Sequence, residues 1–106
     1  MRRQFDVYQN PSQTTRKAYP FIVDIQSTII SDIATRIVVP LGRKSDFKNE
    51  ALEKLTPIID YEGEELLFLV PQIASVPESV LKNPIGSLMH LREEILAALD
   101  FAISGI

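Results

Sequence analysis

The sequence predicts a mainly β chain closed by one C-terminal helix, and three observations carry this reading. Short β-branched and aromatic runs bounded by polar and turn residues recur from Phe5 to Val76. The last twenty residues change period, with Leu88, Leu91, Ile95, Ala98, Leu99 and Ala102 spaced at three and four. There is no cysteine among the 106 residues, so packing, hydrogen bonding or a partner subunit must hold the fold together. This length suits one domain, residues 1–106, with a modest core.

In chain order, Gln4 to Tyr8 alternates as a half-buried strand, with Phe5 and Val7 on one face. Gln9 to Lys17, with Asn10-Pro11-Ser12, has turn chemistry without periodicity and reads as a mobile surface loop. Phe21 to Gln26 and Arg36 to Val39 read as strands near a sheet centre, the second limited by Pro40, which has no N–H for a ladder. Residues 42–56 read as a loop with a turn of helix-like spacing at Phe47, Ala51, Leu52 and Leu55. Pro57 to Tyr61 and Glu65 to Val70 flank Glu62-Gly63-Glu64, a glycine-bearing connection that predicts a hairpin. Ala74 to Val76 predicts one more short strand. Ser87 is positioned to cap the helix and Gly105 to end it. Beside the apolar stripe lies a strip of small and acidic residues, Glu93, Ala97, Asp100 and Ser104, which lets a partner's backbone approach closely.

Charge is unevenly distributed. Residues 1–44 hold seven Lys or Arg against three Asp or Glu, and residues 45–106 hold four against eleven, for a net charge of −3. Folding can mix these charges or separate them into two surfaces for different partners. The N-terminus has no apolar signal region, and no run of about 18 apolar residues occurs, so a cytoplasmic protein without a membrane span is expected. The lone histidine, His90, has no second histidine or cysteine with which to form a transition-metal site. With only Glu93 and Glu94 beside it, it makes weak triad material and reads as a partly exposed helix residue. The four glycines stand apart, so no phosphate-cradling loop is present. No catalytic residue, cofactor or metal is therefore expected. Arg2, Arg3, Arg16, Lys17, Arg36, Arg43 and Lys44 read as solvated charge, not a nucleic-acid stripe, since the chain is acidic overall.

Several stretches then fall together in a known order. Gln4-Phe5-x-Val7-Tyr8, Val23-Asp24-Ile25-Gln26-Ser27, Ile29-Ile30, Arg36 to Leu41, Ala74-Ser75-Val76-Pro77 and a helix closing on Gly105-Ile106 resemble the CcdB toxins of bacterial toxin-antitoxin pairs. The resemblance implies an SH3-like antiparallel barrel with a small wing sheet and one C-terminal helix, paired as a homodimer. It implies a toxin that binds the A subunit of DNA gyrase and traps its DNA cleavage complex, countered by a CcdA-like antitoxin with a disordered C-terminal segment. Carried over, the gyrase-facing positions are Phe5, Ile29, Arg92, Glu93, Asp100, Ser104, Gly105 and Ile106. The antitoxin-facing positions are Tyr8, Arg43, Lys44 and Leu66. The best-known plasmid member of the family carries tryptophan where this chain has Ser104, and asparagines where it has Glu93 and Asp100. Two alternatives stay open: a MazF-like endoribonuclease toxin, similar in fold, and a relative that binds antitoxin without acting on gyrase.

Overall fold

A computed structural model describes residues 3–27, 33–47 and 55–105. Seven strands form one curled antiparallel sheet: β1 Asp6–Gln9, β2 Phe21–Asp24, β3 Thr35–Arg43, β4 Ile58–Tyr61, β5 Glu64–Phe68, β6 Ala74–Pro77 and β7 Gly86–Ser87. Their order is β4-β5-β3-β2-β1-β7, with β6 paired to β3 off that path. One helix, α1, spans Arg92–Ser104. The expected mainly β fold with a single C-terminal helix is what the chain adopts.

Both faces of the sheet are covered, which the alternation at Phe5 and Val7 did not announce. Val7, Val23 and Val39 lie side by side across β1, β2 and β3 and are fully buried in the main core. On the opposite face Tyr8, Ile22, Val38 and Leu81 form a second, smaller cluster. Because successive side chains in a strand point to opposite faces, a strand between two cores is apolar throughout.

Pro40 does not end its strand. Ile25 N–H donates to the Ile37 carbonyl, so residues 37, 39 and 41 bond toward β2, while 38, 40 and 42 bond away from it. On that far side β6 pairs with Thr35 to Val38, and β5 pairs with Leu41 to Arg43. Proline therefore falls where one partner strand gives way to the next, and its carbonyl still accepts from Leu69 N–H at 3.0 Å.

The hairpin turns on two residues, Glu62 and Gly63, with φ of +52° and +80°, the signature of a type I′ turn. From β4 the Tyr61 hydroxyl reaches the Ile85 carbonyl at 3.3 Å beside β7, and its ring meets Phe21 edge-on at 5.1 Å. The two edges of the sheet thus approach one another, curling it into a half-barrel. Gly86 permits this contact, since a Cβ there would stand 2.1 Å from the Tyr61 hydroxyl.

The loop after β1 is organised on Asn10. Its Nδ2 donates to Thr15 Oγ1 at 3.0 Å and to the Tyr19 carbonyl at 2.8 Å, its Oδ1 accepts from Ser12 N–H, and its carbonyl accepts from Arg16 Nε. Arg43 clamps the end of this loop, donating from Nε to the Lys17 carbonyl at 3.0 Å while pairing with Glu64. This segment is a hydrogen-bonded structure, a correction to its reading as a mobile loop.

Where β2 and β3 lead toward residues 28–32, three polar side chains are buried together. Asp24 is wholly buried, and its Oδ2 accepts from Arg36 Nε at 2.8 Å. Its Oδ1 accepts from Gln26 N–H, and Gln26 Oε1 accepts from Ile37 N–H. Burial holds the Asp24 pKa above its usual 3.8, outweighing the opposing hydrogen bond from Gln26 and the charge of Arg36.

Three outcomes follow from these features. Glu62→Gly should raise stability by about 1 kcal/mol in urea unfolding, by removing the left-handed cost of a side chain. Arg36→Met should cost about 3 kcal/mol by stranding a buried carboxylate, and Asp24→Leu combined with it should restore most of the loss. A carboxyl with a raised folded-state pKa stabilises the fold fully below its unfolded value, and that contribution is lost as pH rises through the folded one. An NMR titration should accordingly place the Asp24 midpoint above 3.8, and Arg36→Met should move it higher still.

Candidate functional site

The helix is reached through a short lead-in. Ser87 sits in β7, and its Oγ accepts from Met89 N–H at 3.1 Å at the entry to the 3-10 turn Met89–Leu91, whose cap position is Leu88. The helix itself begins only at Arg92, so Ser87 is not its cap, and His90 lies exposed on that turn and not within the helix. Ile95 and Ala98 are buried in the main core, with Leu91, Leu96 and Leu99 packed against it.

Past Phe101, which is half-buried, the helix outruns its support. Ala102 is exposed, and Ile103, which extends the Leu96 and Leu99 row, is 82% exposed, the highest value among the exposed large apolar side chains described. Gly105 closes the helix at φ +74°, donating its N–H to the Phe101 carbonyl at 2.9 Å. The left-handed cap expected from the sequence is present.

The strip of small and acidic residues is a continuous exposed edge: Glu93, Ala97, Asp100 and Ser104 all face solvent, as does Arg92. Ser104 Oγ donates to the Asp100 carbonyl at 2.6 Å. No basic residue stands in the last turn, so carboxylate and helix dipole are both negative here. Such an edge suits a cationic surface.

A model of the CcdB family, described as CcdB protein, matches residues 4–105. The chain belongs to the CcdB family. CcdB proteins are toxins of toxin-antitoxin pairs, and the family is in general not one of catalytic enzymes. Among the described residues of this CcdB chain no group of three or more His, Cys, Asp or Glu could hold a metal ion, and no helix is long and apolar enough to cross a membrane.

The residues that the CcdB resemblance singles out scatter in the structure. Arg92, Glu93, Asp100, Ser104 and Gly105 share the exposed helix, whereas Ile29 and Ile106 lie outside the described residues. Phe5 is fully buried among the core residues beneath α1, so it presents no surface of its own. Leu66 is likewise fully buried, because it points inward from β5. Neither side chain offers a surface in the free chain. Arg43 and Lys44 are committed to Glu64 and Glu65, the latter pair at 3.3 Å.

Tyr8 is 3% exposed, yet it helps line a groove of about 270 Å³ with Gln9, Arg16, Val80, Lys82 and Ile85. Val80 and Ile85 are exposed there, and no carboxylate lines it. Sequence reading missed this groove and missed Ile103. The signal for Ile103 was available, since an isoleucine seven residues after Leu96 extends the apolar row past the end of the core.

Proposed function

We propose that this chain is a CcdB-type toxin that binds the A subunit of DNA gyrase through the exposed end of α1 and traps the cleavage complex without performing chemistry itself. The observation that carries the reading is the projecting last turn of the helix, in a chain whose family is one of toxins. There Ile103 offers an apolar anchor, Asp100 and Glu93 offer charge to a basic partner, and Gly105 leads into Ile106. Ser104 cannot supply the aromatic contact of the plasmid relative. Its hydroxyl is already bonded to the helix backbone. Ile29 and Ile106 complete the proposed gyrase surface.

A homodimer fits the exposed isoleucines on β3 and at the start of β6. Ile37 on β3 and Ile73, the residue before β6, are 40% and 44% exposed, near the value of Ile33. A second copy would cover them. The antitoxin surface is the groove at Tyr8, with Arg43 and Lys44 on the far side of the same loop. Val7 and Gln9 direct their backbone groups toward β7, where Ile85 N–H meets the Val7 carbonyl. The groove suits an extended segment, and Arg16 and Lys82, which line it, favour an acidic one.

Dispersal of the basic residues argues against the endoribonuclease alternative. Arg36 is buried against Asp24, and Arg43 and Lys44 are each paired with a glutamate.

Incubation with gyrase, ATP and plasmid should yield linear DNA after denaturation, with a parallel RNA substrate left intact; cut RNA with intact DNA would overturn the reading. Ile103→Asp should weaken binding to the gyrase A subunit about 30-fold, near 2 kcal/mol, with little change in Tm. Ser104→Trp should strengthen it, as measured by calorimetry. Lys82→Glu should weaken binding of the antitoxin's disordered segment while leaving gyrase affinity unchanged.

A further inference from the structure

Phe5 combines two properties that rarely meet in one residue. It is among the largest wholly buried side chains, and its backbone sits at φ +73°. The chain turns at Arg3 to Asp6, where Asp6 N–H donates to the Arg3 carbonyl at 3.2 Å. Phe5 therefore occupies the third position of a β-turn, with the φ of a type II turn, a place that favours glycine. A bulky side chain there costs free energy and persists only when its surroundings enforce it.

What enforces it is visible in its partners. Phe5 N–H donates to the Asp24 carbonyl at the end of β2, and the Phe5 carbonyl accepts from Leu88 N–H at 2.8 Å. The Leu88 carbonyl in turn accepts from Leu91 N–H at 2.9 Å, and α1 starts at the next residue. Relaxing the turn to a right-handed φ would flip the preceding peptide and swing the Phe5 N–H away from Asp24. Glycine would relieve the strain but forfeit the ring, which is packed in the same core as Leu88, Ile95 and Ala98.

We propose that Phe5 is a positioning residue: its left-handed backbone and buried ring fix where α1 leaves the sheet, and so set the pose in which the helix end meets its partner. The identity of that partner rests on the gyrase reading above. Phe5 acts through Leu88 and the helix, not by touching gyrase.

The test compares full-length wild type with Phe5→Leu and Phe5→Gly, at a temperature where each is folded by circular dichroism. Hydrogen exchange at the Leu88 and Leu91 amides is measured beside affinity for the gyrase A subunit and for the antitoxin's disordered segment. Expected in Phe5→Leu are a tenfold or greater loss of protection at both amides, a tenfold or greater loss of gyrase affinity, and antitoxin affinity within twofold of wild type. Lost gyrase affinity with unchanged exchange would mean that the ring itself touches gyrase, which overturns the proposal. Equal loss of both affinities would reduce Phe5 to general stability, and no change in any readout would remove its role. If wild type fails to bind gyrase, the target reading falls, and the exchange at Leu88 and Leu91 alone decides whether Phe5 positions the helix.

Discussion

Strand β3 is the constraint on which the other elements depend. It pairs along one edge with β2 and along the other with β6 and then β5, so three separate stretches of chain are aligned by nine residues. The handover from β6 to β5 falls at Pro40, the one residue type that cannot donate to a ladder. A residue with an N–H at that point would direct it into the gap between two strands. Proline has none to leave unsatisfied, and its carbonyl still finds Leu69. Through β2, the same strand fixes β1, β7 and the approach to the helix. Through β5 it fixes the hairpin whose Tyr61 returns to β7.

Stability and positioning conflict where β2 and β3 lead toward residues 28–32. A buried aspartate and arginine often stabilise a protein less than apolar residues of the same volume, and a phenylalanine at positive φ adds a further cost at a residue bonded to the same Asp24. The main core, with Val7, Val23, Val39, Leu66, Phe68 and Ile95 all fully buried, offsets these costs. In return, β2, β1 and the start of the helix are linked by hydrogen bonds to specific atoms. Apolar contacts alone would let these elements slide.

Much of this was legible because local chemistry and final environment agree. Gly63 in a two-residue turn, Gly105 at positive φ, the β-branched runs at Phe21 and Ile58, and the row from Leu88 to Leu99 all occupy the elements their residue types favour. The misreadings share a cause, which is that a second layer lay outside the local pattern. The alternation at Phe5 and Val7 gives no sign that Tyr8, on the opposite face, is covered as well. Pro40 reads as a terminator only if a strand is assumed to have one partner on each side. Ser87 has the chemistry of a helix cap but is drawn into β7 by Asp6. Asn10 carried the signal of an ordered loop, but its four hydrogen bonds depend on Ser12, Thr15, Arg16 and Tyr19 folding back together.

The exposed end of α1 is best understood as a consequence of how the helix is anchored. The two side chains buried on it, Ile95 and Ala98, lie no later than its midpoint, and past them Phe101 is half-buried while Ala102, Ile103 and Ser104 face solvent. An isolated helical turn is marginal in water, and Ser104 donating to Asp100 adds one local bond on its exposed side. Ile103 gains nothing in the free chain from being apolar at 82% exposure. Replacing it by a polar residue would leave the fold intact and improve solubility. On the reading proposed above its burial is realised against the gyrase A subunit, and the acidic edge beside it suits a basic surface there.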